Sequence, residues 1–156
     1  MEAPNNAFIY TGGNHGNRAL DFRDFGYSSR GGRMLLDADT KESVVVSEVK
    51  QVLIFCALMK ASEDLPGPPS RVQRINTGAF KKGPHFIRSA NKGTLDFEGY
   101  DKRGRFIGIE CKRPKGGRLS PEQKARIDDI NAHGGVAFVT TSGQEALQLL
   151  TERGCV

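Results

Sequence analysis

The sequence predicts an α/β domain in which helices flank a mixed sheet, and three observations carry that expectation. A helical apolar pattern runs from Ser47 to about Ser62. Two alternating runs, about 94–99 and 105–112, are joined by Tyr100-Asp101-Lys102-Arg103-Gly104, a turn composition that suits a hairpin. A helix-start signature at Ser120-Pro121-Glu122-Gln123 is followed, past Gly134-Gly135, by the short apolar run Val136–Thr140.

Residues 1–40 are rich in Gly, Asn, Asp and Arg without sustained periodicity, and they read as a flexible or irregular N-terminal arm ahead of a domain over 41–156. On a helical wheel centred on Glu48, Val44, Val52, Phe55 and Met59 all fall within about 40° of it. Glu48 therefore sits in the apolar stripe and needs a partner, unless the helix packs slightly rotated and the carboxylate reaches solvent. Leu65-Pro66-Gly67-Pro68-Pro69 breaks the chain. Arg71–Asn76 reads as a strand, and Thr77–Pro84 as a glycine-marked basic loop. After the two alternating strands, Arg113–Arg118 forms a basic turn. A helix from Ser120 to Ala132, the strand Val136–Thr140 and a helix over Gln144–Glu152 complete the order helix, three strands, helix, strand, helix.

A chain of 156 residues with 37% apolar and 26% charged residues is one domain with a single core, not a disordered polymer. Its net charge is +5 and its pI about 9.3. Residues 1–40 hold four arginines against five acids, so the rest of the chain carries +6. A basic balance concentrated in the folded part suits a polyanion such as nucleic acid. Cys56, Cys111 and Cys155 have no metal-binding spacing and leave an odd thiol in any pairing, which points to a reducing interior. The longest apolar-rich stretch, Val44–Ala61, is interrupted by Glu48, Lys50, Gln51 and Lys60, so an intracellular protein without a membrane span is expected.

The chemistry centres on the paired strands. Alternation puts Glu110 and Lys112 on one face, with Ile107, Ile109 and Cys111 on the other. On the preceding strand it puts Asp96 with Thr94 and Glu98, opposite Leu95 and Phe97. A hairpin then lets Asp96 meet Glu110 across the ladder, so that two carboxylates and an ammonium converge. Such a set suits a divalent cation and a phosphate, because magnesium takes hard oxygen ligands and needs only one or two carboxylates besides substrate phosphate. Read without that chemistry, the same three residues form a surface salt-bridge ladder. Gln123 reads equally as the third member of a Ser-x-x-Gln capping box.

Gly93-Thr94-Leu95-Asp96, Ile109-Glu110-Cys111-Lys112-Arg113, Gly116-Gly117, Leu119-Ser120-Pro121-Glu122-Gln123 and Gly134-Gly135 together resemble the VRR-NUC family of the PD-(D/E)XK nuclease superfamily, related to Holliday-junction resolvases. The resemblance runs from about Ser47 to Thr141. It implies a restriction-endonuclease-like αβββαβ core with a mixed central sheet and a Mg²⁺- or Mn²⁺-dependent phosphodiesterase. It maps metal-binding acids onto Asp96 and Glu110, the catalytic lysine onto Lys112, the first-helix acid onto Glu48, the second-helix glutamine onto Gln123, and a metal-binding carbonyl onto Cys111. Leu95 stands where the superfamily has a proline, and its side chain is expected to face away from the site.

The basic residues Arg71, Arg74, Lys81, Lys82, Arg88, Lys92, Arg113, Lys115 and Arg118, with Asn76, form the expected track for nucleic-acid phosphates. The expected function is a DNA endonuclease selective for branched or four-way-junction DNA, acting as a homodimer; the resemblance alone implies a phage or mobile-element origin. The alternative is a nucleic-acid-binding module that keeps the fold without cutting.

Overall fold

Among the residues described by the computed structural model, 40–75, 79–82, 84–88 and 90–156, the chain forms three helices and six strands. The expected N-terminal arm lies, as far as residue 39, outside the described residues. Helix α1 spans Glu42–Phe55, α2 Pro121–Ala132 and α3 Gly143–Glu152. The strands are β1 Val72–Arg74, β2 Ala79–Lys82, β3 His85–Arg88, β4 Phe97–Tyr100, β5 Phe106–Cys111 and β6 Val136–Thr140.

Helix α1 is displaced from its expected span: it begins five residues before Ser47 and stops seven before Ser62. Its end is a Schellman turn. The Leu58 N–H donates to the Leu53 carbonyl at 2.9 Å and the Ala57 N–H to Ile54 at 3.0 Å, with Ala57 at φ 55°. Glycine usually fills that left-handed position, so the stop carries no mark in the sequence. The buried stripe is Val45, Val46, Val49, Val52 and Leu53, whereas Val44 and Phe55 are exposed. The helix is thus rotated from the wheel centred on Glu48, and Glu48 lies at the flank of the buried face.

Strands β1, β4, β5 and β6 form one mixed sheet in the order β1-β4-β5-β6. The first two pairings are antiparallel and β5–β6 is parallel, with α2 as the crossover. The mixed α/β architecture is the one expected. Residues 79–82, expected within the basic loop Thr77–Pro84, instead form β2, which pairs antiparallel with β3 in the register Ala79 to Arg88. Phe80 on one side of Gly83-Pro84 and Phe86-Ile87 on the other supply strand-forming residues that the lysines and glycines obscure.

Two apolar layers enclose the sheet. Helix α1 packs on α3, which contributes the buried Ala146, Leu147 and Leu150. On the opposite layer Leu95, Ile127, Ile130 and Ala137 cluster, with Val139 packed against them. Gly108 leaves room for that layer: a Cβ there would lie 2.6 Å from Leu95 Cδ1 and 3.1 Å from Ile130 Cδ1. The turn between β4 and β5 is pinned by Asp101, which is 1% exposed. Its carboxylate accepts from the Arg103 and Arg105 backbone N–H groups and from Arg105 Nε at 2.7 Å. Arg105 Nη2 in turn donates to the Arg153 and Gly154 carbonyls beyond α3. Hairpin and C-terminal helix are thereby tied together.

Candidate functional site

The register of the β4–β5 hairpin, Phe97 with Ile109 through Tyr100 with Phe106, places Asp96 opposite Glu110 one step beyond the last pair. Asp96 Oδ2 accepts the Cys111 N–H at 2.8 Å, and the Asp96 carbonyl accepts from Ile75 N–H at 2.8 Å. Asp96 is therefore fixed between β1 and β5, with its side chain half-buried.

Glu110 is 2% exposed. Its Oε1 accepts hydrogen bonds from both Lys112 Nζ and Gln123 Nε2. Its Oε2 is buried without a hydrogen-bond partner. Burial, opposed by the Lys112 hydrogen bond and reinforced by the negative Asp96, pushes the Glu110 carboxyl up to about 7. Burial works against the Lys112 ammonium, but the Glu110 carboxylate, with Glu42 and Asp96 behind it, outweighs that and raises its pKa. Lys112 is thus a fixed positive charge and not a base at neutral pH.

Gln123 both caps its helix, as the Ser-x-x-Gln pattern leads one to expect, and touches the acidic cluster. Its Oε1 accepts from Ser120 N–H at 3.0 Å and its own N–H donates to Ser120 Oγ at 3.1 Å, closing the capping box of α2. Its side-chain amide then reaches Glu110. The Lys112 stem is held from behind by the turn at Gly117, where a Cβ would lie 2.9 Å from Lys112 Cβ.

The first-helix acid differs from expectation. Glu48 Oε2 accepts the Gly143 N–H at 2.9 Å, at the first turn of α3, so its partner is a helix terminus. The α1 acid that approaches the cluster is Glu42, whose Oε1 lies 4.0 Å from Lys112 Nζ. Leu95 also departs from the expected alternation. Because β4 begins only at Phe97, the chain before it is not regularly pleated, and Leu95 packs under α2 with Ile127 and Ile130. Glu98, placed on the Asp96 face by alternation, is engaged in the fold: Arg126 Nε approaches it at 3.5 Å and it accepts from Leu95 N–H.

Cys111 is buried and its thiol is pushed up by burial, so only its backbone carbonyl can offer a hard ligand. Among the described residues, no group of three or more His, Cys, Asp or Glu side chains is arranged to hold a metal ion. The site offers instead two carboxylates, one with an orphaned oxygen, beside an amide and an ammonium. That donor set fits a hard cation that completes its shell with water and phosphate.

Of the expected nucleic-acid residues, Arg113, Lys115 and Arg118 are exposed on the loop between Lys112 and Gln123, at the site's margin. Arg74 is exposed opposite Phe97 in the register, next to Asp96. Lys92 is exposed, 3.8 Å from Glu122. Asn76 and the side chains of Lys81, Lys82 and Arg88 lie outside the described residues. No helix among the described residues is long and apolar enough to cross a membrane. In comparisons with known proteins, the chain matches no family model, no curated protein and no solved structure.

Proposed function

We propose that this protein is a metal-dependent endonuclease that hydrolyses DNA phosphodiester bonds, with preference for branched or otherwise irregular DNA. The observation that carries this reading is Glu110: a carboxylate 2% exposed, gripped on one oxygen by Lys112 and Gln123 and left unpaired on the other. An orphaned buried oxygen is costly unless something binds it. A surface salt-bridge ladder has no need of that burial.

Asp96, Glu110 and the Cys111 carbonyl would hold Mg²⁺ or Mn²⁺, which when bound supplies charge neutralisation at the phosphoryl oxygens and an acidified water. Lys112 carries the positive charge that holds a non-bridging phosphate oxygen as negative charge builds there. Gln123 keeps the Glu110 carboxylate in one rotamer and spends no charge doing so. Exposed Arg113, Lys115, Arg118 and Arg74 contact flanking phosphates without reading bases. Water attack forms a new P–O bond and breaks the bond to the 3′ oxygen, which leaves with a proton from that water. The products carry a 5′-phosphate and a 3′-hydroxyl. Two copies of the chain would present two such sites to the two strands of a junction.

The test is cleavage of a panel of duplex, single-stranded, flap and four-way-junction DNA with Mg²⁺ or Mn²⁺. Wild type is expected to cut, and Asp96→Ala and Lys112→Ala to lose at least about 100-fold in rate. Salt-sensitive binding to branched DNA with no cutting under either metal would replace the endonuclease with a binding module. Variants as active as wild type would remove these residues from the site.

A further inference from the structure

Resting on the nuclease reading above, we propose that the cavity beside Gln123 is a subsite for one unpaired nucleobase next to the scissile phosphate. The cavity measures about 280 Å³ and is lined by Asn91, Lys92, Thr94, Ser120, Glu122 and Gln123, with Gly93 in its wall. Gln123 is the partition: it lines the cavity and donates to Glu110 on the catalytic side. A nucleotide seated in the cavity therefore lies one side chain away from the phosphate held by Lys112.

The chemistry of the lining selects a base over a second phosphate. Asn91 offers both a donor and an acceptor on an exposed side chain. Glu122, at the first turn of α2, offers a carboxylate acceptor, and Lys92 lies 3.8 Å from it. Thr94 and Ser120 contribute hydroxyls. The Glu122 carboxylate offsets the pull of Lys92 on a phosphate and still accepts from an exocyclic amine or ring N–H. The wall is also built to be close. Gly93 adopts φ +83°, and a Cβ there would stand 2.8 Å from the Glu122 carbonyl oxygen, so only glycine lets the Asn91–Thr94 turn lie against α2. A paired base cannot present its Watson–Crick edge to this wall. The subsite thus gives a physical basis for preferring DNA whose nucleotide at the cut is unpaired, without any long sequence being read.

The test uses the full chain without divalent metal, titrated with deoxynucleoside 5′-monophosphates and, separately, deoxyribose 5-phosphate, and read by amide NMR shifts. The expected result is movement of the Gly93 and Thr94 backbone amides and of the Asn91 side-chain amide with the cytosine, adenine or guanine nucleotide. Sugar phosphate should move them far less, and Asn91→Ala should weaken nucleotide binding about 5- to 10-fold. Equal shifts with the sugar phosphate, or none at millimolar concentration, would overturn the subsite. Because no cutting is involved, failure here leaves the cleavage result standing. Conversely, a base-dependent shift in a protein that cuts nothing keeps the subsite and removes the nuclease.

Discussion

Gln123 and Glu110 are joined across 13 residues by a hydrogen bond from Nε2 to Oε1, while the oxygen of the same amide caps its own helix at Ser120. The capping box thus orients a buried carboxylate. That dual use separates by mutation. Ser120→Ala and Gln123→Ala should each cost about 1 kcal/mol of stability through the damaged cap. Gln123→Ala should also slow metal-dependent cleavage by about 10- to 100-fold, as loss of a supporting contact to a metal ligand does, and Ser120→Ala by much less. Thermal unfolding and single-turnover cleavage of the two variants check this. Equal cleavage losses in both would mean that helix integrity is all the glutamine provides.

Glu110 should make the metal-free protein less stable as pH rises. An ordinary glutamate titrates at 4.5, whereas burial pushes folded Glu110 up to about 7. Between those values the folded state keeps a proton that the unfolded state has released, so stability falls with rising pH. The contribution is complete below the unfolded value and is lost as pH rises through the folded one. Its size is on the order of 2 kcal/mol or less. Glu110→Gln should flatten this part of the pH profile. Added Mg²⁺ or Mn²⁺ should raise the melting temperature of wild type more near pH 8 than near pH 5.5. A metal shift that is equal at both pH values would place the ion elsewhere.

Residues with dense local signals were legible in the sequence. Ser120-Pro121-Glu122-Gln123 and the apolar run Val136–Thr140 mark their elements within a residue, because caps and β-branched runs act over a few positions. The convergence of Asp96, Glu110 and Lys112 was legible because one hairpin turn fixes its register. What could not be read depends on packing between distant elements. Nothing local distinguishes Glu42 from any first-turn glutamate, and only the seating of α1 against β5 brings it to Lys112. Glu48 likewise finds Gly143 95 residues away. Leu95 escapes the alternation because regular pleating starts only at Phe97, a boundary that no residue before it marks.

Glu48 offers the sharpest separation of fold from chemistry. If its carboxylate serves the Gly143 amide, Glu48→Gln keeps an acceptor oxygen and should lose well under about 1 kcal/mol, with cleavage within about threefold of wild type. Glu48→Ala should cost roughly 1–2 kcal/mol, since the charge-assisted bond and its favourable place at the helix N-terminus both go. Chemical denaturation and cleavage rates are the measurements. An inactive but fully stable Glu48→Gln protein would return Glu48 to the metal-binding acids.

The end of α1 should be improvable. Ala57 holds φ 55° at the position after the cap, where its Cβ crowds the neighbouring carbonyl, a conformation costing about 1 kcal/mol relative to glycine. Both bonds of the turn are made by backbone groups of Ala57 and Leu58, so replacing the methyl leaves them intact. Ala57→Gly relieves the crowding but gives the unfolded chain more freedom, which offsets part of the gain. A net stabilisation of about 0.5 kcal/mol is expected from denaturant midpoints at unchanged slope. Cleavage should be unaffected, because the turn lies at the end of α1 away from Glu42. A destabilised variant would show that the Ala57 methyl contributes packing larger than its backbone strain.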